Sequence, residues 1–98
     1  MINASHLPKP IDPAQMSDWR AETCGFTATV YRPKRATIMI IPVCGGNMLR
    51  VRTSESTTEQ VTSKDVITCA LTAFRILGIT SDPGWGLLGW KGSGEVRS

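Results

Sequence analysis

The strongest constraint on the fold is a series of three short β-type segments between residues 26 and 53. Residues 26–31 alternate apolar and threonine or tyrosine side chains, the period of a strand with one covered face. Residues 36–41 are apolar on both faces, which favours a central strand, and residues 48–53 alternate again. Because the turn-forming residues 32–35 and 44–47 are short connections, the three segments predict an antiparallel meander.

Two helices are predicted to flank these strands. Asp12 is a good N-cap for a helix over residues 13–22, which ends by Gly25. Residues 66–77 carry their apolar side chains on one helical stripe, and Gly78 marks the end of that helix. The predicted fold is therefore α+β, a three-stranded antiparallel meander with helices in the order α-β-β-β-α. The second helix is expected to cover the sheet face formed by Phe26, Ala28, Val30, Ile38, Ile40, Leu49 and Val51.

The chain is long enough for one small domain, predicted over residues 1–78 with an extended N-terminal arm at residues 1–11. Residues 54–60 are predicted to be a polar loop. Residues 79–98 form a Gly- and Trp-rich tail that is either flexible or a clamp. The clamp is favoured, because an exposed pair such as Trp85 and Trp90 would promote aggregation.

The predicted element order over residues 12–78 resembles that of double-stranded-RNA-binding domains. In that family the second helix opens with a lysine cluster, whereas this chain has Ser63, Lys64 and Asp65 at that point. The family's first hairpin loop carries Gly-Pro-x-His, whereas residues 32–35 read Arg-Pro-Lys-Arg. Since neither RNA-contacting motif is present, the resemblance implies a topology without an activity or any site residue.

Composition excludes several classes of protein. A hydrophobic fraction of 41% and a net charge of +3 exclude a disordered chain. The apolar runs are far shorter than the roughly 18 residues that a membrane span needs. No basic stretch followed by an apolar one opens the sequence, so we expect no signal peptide. Together with an odd number of cysteines, three, these features predict a cytoplasmic protein without a disulfide framework.

The residues that carry metal or acid–base chemistry are scattered. Cys24, Cys44 and Cys69 lie roughly twenty and twenty-five residues apart, and a zinc site normally shows closely spaced cysteine pairs. The only histidine, His6, lies in the proline-bearing arm, where catalytic geometry is hard to hold. We therefore predict no enzyme, no metal and no cofactor.

Two groups of side chains predict binding instead. Basic residues on the first hairpin, with Arg50 and Arg52 on the outer face of the third strand, would suit nucleic acid. Met39 should lie beside these two arginines, and an exposed apolar group on a sheet implies a cover. That cover is the first helix, the tail, a second copy or a protein partner.

The leading prediction is thus a non-enzymatic protein-binding module that self-associates or inhibits a larger host complex. Small basic inhibitors of this type occur in phage and mobile elements, an analogy of size and type. The alternative is a nucleic-acid-binding protein. The predicted partner-binding residues are Tyr31, Arg32, Lys34, Arg35, Met39, Arg50, Arg52, Trp85 and Trp90.

Overall fold

The computed structural model describes residues 4–82 of the chain. Its main element is one antiparallel sheet whose five strands follow each other in sequence order. The strands are β1 (Arg20–Glu22), β2 (Gly25–Val30), β3 (Ala36–Val43), β4 (Gly46–Thr53) and β5 (Thr57–Thr62), and they are followed by the helix α1 (Val66–Leu77). Two single-turn 3₁₀ helices, Ala4–His6 and Pro13–Gln15, precede the sheet.

The predicted order α-β-β-β-α is wrong, because the observed order is mostly β-β-β-β-β-α. Asp12 does act as a cap, and its Oδ1 accepts a hydrogen bond of 3.0 Å from the N–H of Ala14. The helix that it starts is only Pro13–Gln15, and Met16 is already extended, with φ −155° and ψ 162°. The topological resemblance to double-stranded-RNA-binding domains depended on the predicted order and is lost with it.

The chain after Met16 is extended because it pairs with β2. Ser17 donates its N–H to the carbonyl of Thr29 at 2.8 Å, and its hydroxyl accepts the N–H of Thr29 at 2.9 Å. An isolated helix of about ten residues is marginally stable, and pairing with the sheet supplies the backbone hydrogen bonds instead. Met16 and Trp19 are both buried in the core.

The second correction concerns residues 54–60, which were predicted to be a loop. Only the turn between Thr53 and Ser56 is irregular, closed by a 2.8 Å bond from the Thr53 N–H to the Ser56 carbonyl. Thr57–Thr62 is strand β5, paired with β4 over its whole length. The residues of β5 are mostly polar, but many of them are β-branched, which favours a strand. Such a composition suits a strand at the sheet edge that is exposed on both faces.

The central part of the prediction is confirmed. β3 lies in the middle of the sheet and pairs with β2 and β4. β3 continues through Pro42 to Val43, beyond the predicted end at residue 41. Proline is tolerated there because, past Ile40, β3 pairs with β4 alone. The helix α1 begins after the N-cap Asp65 and ends at the predicted Gly78, which has the left-handed φ of 74°.

The core lies between α1 and one face of the sheet, as predicted. All seven residues expected on that face are buried except Phe26, which is half-buried and packs against the core. Trp19 closes the core near the helix: its ring stacks on Phe74 with centroids 6.5 Å apart. Its indole N–H donates a 2.8 Å hydrogen bond to the carbonyl of buried Pro8. The sheet face opposite α1 carries the candidate site.

Candidate interaction surface

The sheet face opposite α1, here called the open face, is organised in rows that cross the strands. One row is Arg20, Thr27, Met39, Arg50 and Glu59, each the direct partner of the next. Side chains directly opposite in an antiparallel pair have Cβ atoms about 4.5–5.5 Å apart, so neighbours in a row are in contact range. The neighbouring rows are Thr29, Thr37, Arg52 and Thr57 on one side, and Ile41, Met48 and Val61 on the other.

Arg50 is the best-fixed charge on the open face. Its Nε donates to Oε2 of Glu59 on β5 at 2.6 Å, and its Nη1 lies 3.9 Å from the sulfur of Met39 on β3. The side chain of Arg50 is 26% exposed and that of Glu59 is 47% exposed. Because solvent screens such a pair, it contributes at most about 1 kcal/mol to stability. Its main effect is to hold the guanidinium beside the sulfur of Met39.

Apolar side chains surround this ion pair. Met39, Ile41 and Met48 each keep part of their surface exposed on the open face, and Val61 on β5 is 66% exposed. Methionine side chains are flexible and polarisable, and they adapt to differently shaped partners. The three strands β3, β4 and β5 therefore present an apolar patch with charged groups along its side, and we call Met39, Ile41, Met48, Arg50 and Arg52 the central patch.

Arg52 has a different environment from Arg50. It lies in the row beside Arg50, and within residues 4–82 it makes no ion pair. With Arg35 it borders a shallow depression of about 260 Å³ that contains no acidic side chain. The other residues lining this depression are Ala36, Thr37, Thr53 and Ser54. Two cations and several hydroxyl groups thus lie around one open space.

The predicted basic hairpin is exposed, but only part of it joins this surface. Arg35 contributes to the depression, and its guanidinium carbon lies 6.0 Å from the centroid of the Tyr31 ring. Tyr31 itself borders a separate depression beside Ser17. Arg32 and Lys34 are exposed in the same loop. Trp85 and Trp90 lie outside the described residues, so the structure does not place them.

Sequence reasoning missed Met48, Glu59 and Val61 as members of this face. Met48 was assigned to a strand but not to the site. Glu59 was placed in the predicted loop over residues 54–60, and Val61 was left unassigned between that loop and the second helix. The available signal was the β-branched content of Thr57–Thr62, which is typical of a strand despite its polarity.

The three thiols are free and lie in different settings. Cys24 and Cys44 are exposed in the turns that precede β2 and follow β3, and Cys69 is buried in α1. Burial raises the pKa of the Cys69 thiol, and the negative charge of Asp65 raises it further. Within residues 4–82, no three His, Cys, Asp or Glu side chains come together as a possible metal site.

No helix within residues 4–82 has the length and apolar character to cross a membrane. Comparisons with protein-family models, with curated proteins and with solved structures give no match for this chain. The fold and the open face therefore define a small α+β domain, a five-stranded antiparallel sheet covered on one face by a helix.

Proposed function

We propose that the chain is a non-enzymatic protein-binding module that uses the central patch of the open face. The observation that carries the proposal is the packing of Arg50 against Met39, with Ile41, Met48 and Arg52 on the same two strands. Arginine is enriched in interface hot spots, and methionine is enriched in interfaces relative to other surfaces. A small inhibitor that occupies a surface of a larger complex would act through such a patch.

Rigid display of the patch supports this function. β3 and β4 are neighbours in the middle of the sheet, and their pairing extends over eight residues from Ala36 to Val43. Their inner faces are held by the core, so the outward side chains keep a fixed spacing. A pre-ordered surface loses little entropy on association, which favours affinity.

The test combines capture of partners with point variants. The full chain, immobilised, is exposed to a lysate of its host with and without nuclease, and captured proteins are identified by mass spectrometry. The Met39→Glu and Arg52→Glu variants should each fail to capture a protein that the unmodified chain captures, because both substitutions change the central patch without altering the core. Ile76→Glu is the matched control, because Ile76 lies on α1, on the other side of the sheet from the central patch, and is 46% exposed.

Self-association belongs to the same proposal and is measured on the same variants by sedimentation velocity. A second copy bound through the central patch gives a dimer that Met39→Glu dissociates and Ile76→Glu leaves intact. If Met39→Glu and Arg52→Glu retain every captured protein and the same mass as the unmodified chain, the central patch is not a binding surface.

The alternative function is nucleic-acid binding, and the depression between Arg35 and Arg52 favours it. Two cations beside the hydroxyls of Thr37 and Ser54 offer a position for a phosphate. Binding of a fluorescent single strand or duplex should weaken steeply with salt, because each phosphate contact releases counterions. Joint replacement of Arg35 and Arg52 by Gln should lower both the affinity and the salt slope. Absence of binding at low salt would exclude this alternative.

The exposed thiols of Cys24 and Cys44 also suit a reducing compartment. We accordingly propose a cytoplasmic location for the module. Expression with a fluorescent tag in the host, followed by fractionation, tests this location directly.

A further inference from the structure

The two edges of the sheet differ in how they are protected. β1 is only three residues long and carries the ion pair of Arg20 and Glu22 at 3.1 Å. Short and charged edge strands resist pairing with other chains. β5 is six residues long, contains neither proline nor lysine, and its one charge, Glu59, is engaged by Arg50.

The backbone of β5 is therefore available for pairing within the described part of the chain. β5 pairs with β4 on one side, and no other described strand lies on its other side. In an antiparallel edge strand, every second residue directs its N–H and C=O groups away from the sheet. These groups form the usual template for an added strand.

A groove runs beside this free edge. The helix α1 packs mainly over β3 and β4, which leaves the inner side of β5 uncovered. The resulting cavity has a volume of about 380 Å³, within the usual range for ligand sites. It is lined by Gln60 and Thr62 of β5 and, from the helix side, by Lys64, Leu71, Thr72 and Arg75. A strand added to β5 would direct alternate side chains into this groove.

The groove also has a defined charge pattern. Among the described residues that line it, Lys64 and Arg75 are the charged ones, and both are basic. Lys64 lies just before the N-cap Asp65, and Arg75 lies in the last turn of α1, so the two cations are near opposite ends of the helix. The helix rises about 15 Å from its N-cap to Arg75 at 1.5 Å per residue. The half-buried Leu71 lies between them and is the most accessible apolar group in the groove. The complementary ligand is extended, apolar in its middle and acidic towards its ends.

We propose that the groove between β5 and α1 binds an extended, acidic peptide of a partner protein by strand addition. This site lies on the opposite side of the sheet from the central patch and stands independently of the function proposed above. A second copy fits less well, because it would bring an identical pair of cations to the groove. Residues 83–98 of the same chain also fit less well, since they carry two basic side chains and one acidic one.

Two synthetic peptides test the charge pattern. The probes are fluorescein-labelled Asp-Thr-Val-Thr-Val-Thr-Asp and the same peptide with lysine at both ends. A strand of seven residues spans about 20 Å, so its alternate side chains place both valines and both terminal charges along the groove. The full chain should bind the acidic peptide on the order of tenfold more tightly than the basic one in fluorescence anisotropy.

Variants locate the binding. Lys64→Gln and Arg75→Gln should each remove part of the preference for the acidic peptide, and Thr72→Trp should block both peptides by filling the groove. Arg20→Gln, at the protected edge, is the matched control and should change neither affinity. Circular dichroism establishes that each variant keeps its fold.

Hydrogen exchange of the full chain provides a readout that does not depend on the variants. Alternate amides of β5 should exchange fast in the free chain and slowly with the acidic peptide bound. No binding up to about 1 mM peptide, equal binding of the two peptides, or binding without new protection in β5 would overturn the proposal. Protection of all β5 amides in the free chain would also overturn it, because another segment or a second copy would already occupy the edge.

Discussion

Replacing Trp19 by Phe tests the packing of the segment that was predicted to form the first helix. Trp19 is 5% exposed, and its indole N–H donates to the carbonyl of Pro8 at 2.8 Å. Phenylalanine keeps an aromatic ring against Phe74 but removes the donor. An unsatisfied buried acceptor costs about 1–3 kcal/mol, and the smaller ring gives up about 1 kcal/mol of burial. We expect the free energy of unfolding to fall by about 2–4 kcal/mol.

This loss is large for a chain of 98 residues, whose total stability should be about 5–15 kcal/mol. Urea unfolding followed by far-ultraviolet circular dichroism measures it without reliance on tryptophan fluorescence, which three tryptophans would complicate. Arg20→Ala is the neighbouring control and should stay within about 0.5 kcal/mol of the unmodified chain, because Arg20 is exposed. A loss below about 0.5 kcal/mol for Trp19→Phe would refute the buried hydrogen bond and the packing derived from it.

Three further predictions concern the backbone and the thiols. Gly25 has φ 109°, and an added Cβ would lie 2.0 Å from the carbonyl oxygen of Ile40, so Gly25→Ala should destabilise or prevent folding. Gly45→Ala meets no atom within 4 Å, and thermal melting should show a much smaller loss for it. A thiol reagent should modify Cys24 and Cys44 rapidly and Cys69 only on unfolding, which timed mass spectrometry can follow. Because the folded-state pKa of Cys69 is raised, its stability contribution is complete below the ordinary thiol pKa and declines as pH rises past it. Cys69→Ala should remove that part of the alkaline decline in urea titrations, and an unchanged decline would contradict the assignment.

The sequence alone determined the centre of this protein. Apolar and polar side chains alternate in residues 26–31 and 48–53, which indicates that one sheet face is buried, because side chains in a strand alternate between the two faces. Pairing of the three predicted strands in sequence order placed Met39 beside Arg50 on the outer face, where they lie in one row. The end of α1 at Gly78 was also predictable, since the left-handed conformation there favours glycine.

Only the tertiary structure decided what lies on either side of that centre. Residues 16–19 follow the helix cap Asp12 but do not continue the helix. Instead, Ser17 forms hydrogen bonds with the backbone N–H and carbonyl of Thr29, twelve residues away. β5 is exposed on both faces, so no hydrophobic alternation could identify it, and its strand form depends on pairing with β4. The contact of Glu59 with Arg50 and the groove beside α1 follow from that pairing. Local preferences describe a chain segment, whereas long-range backbone pairing selects among the conformations that these preferences allow.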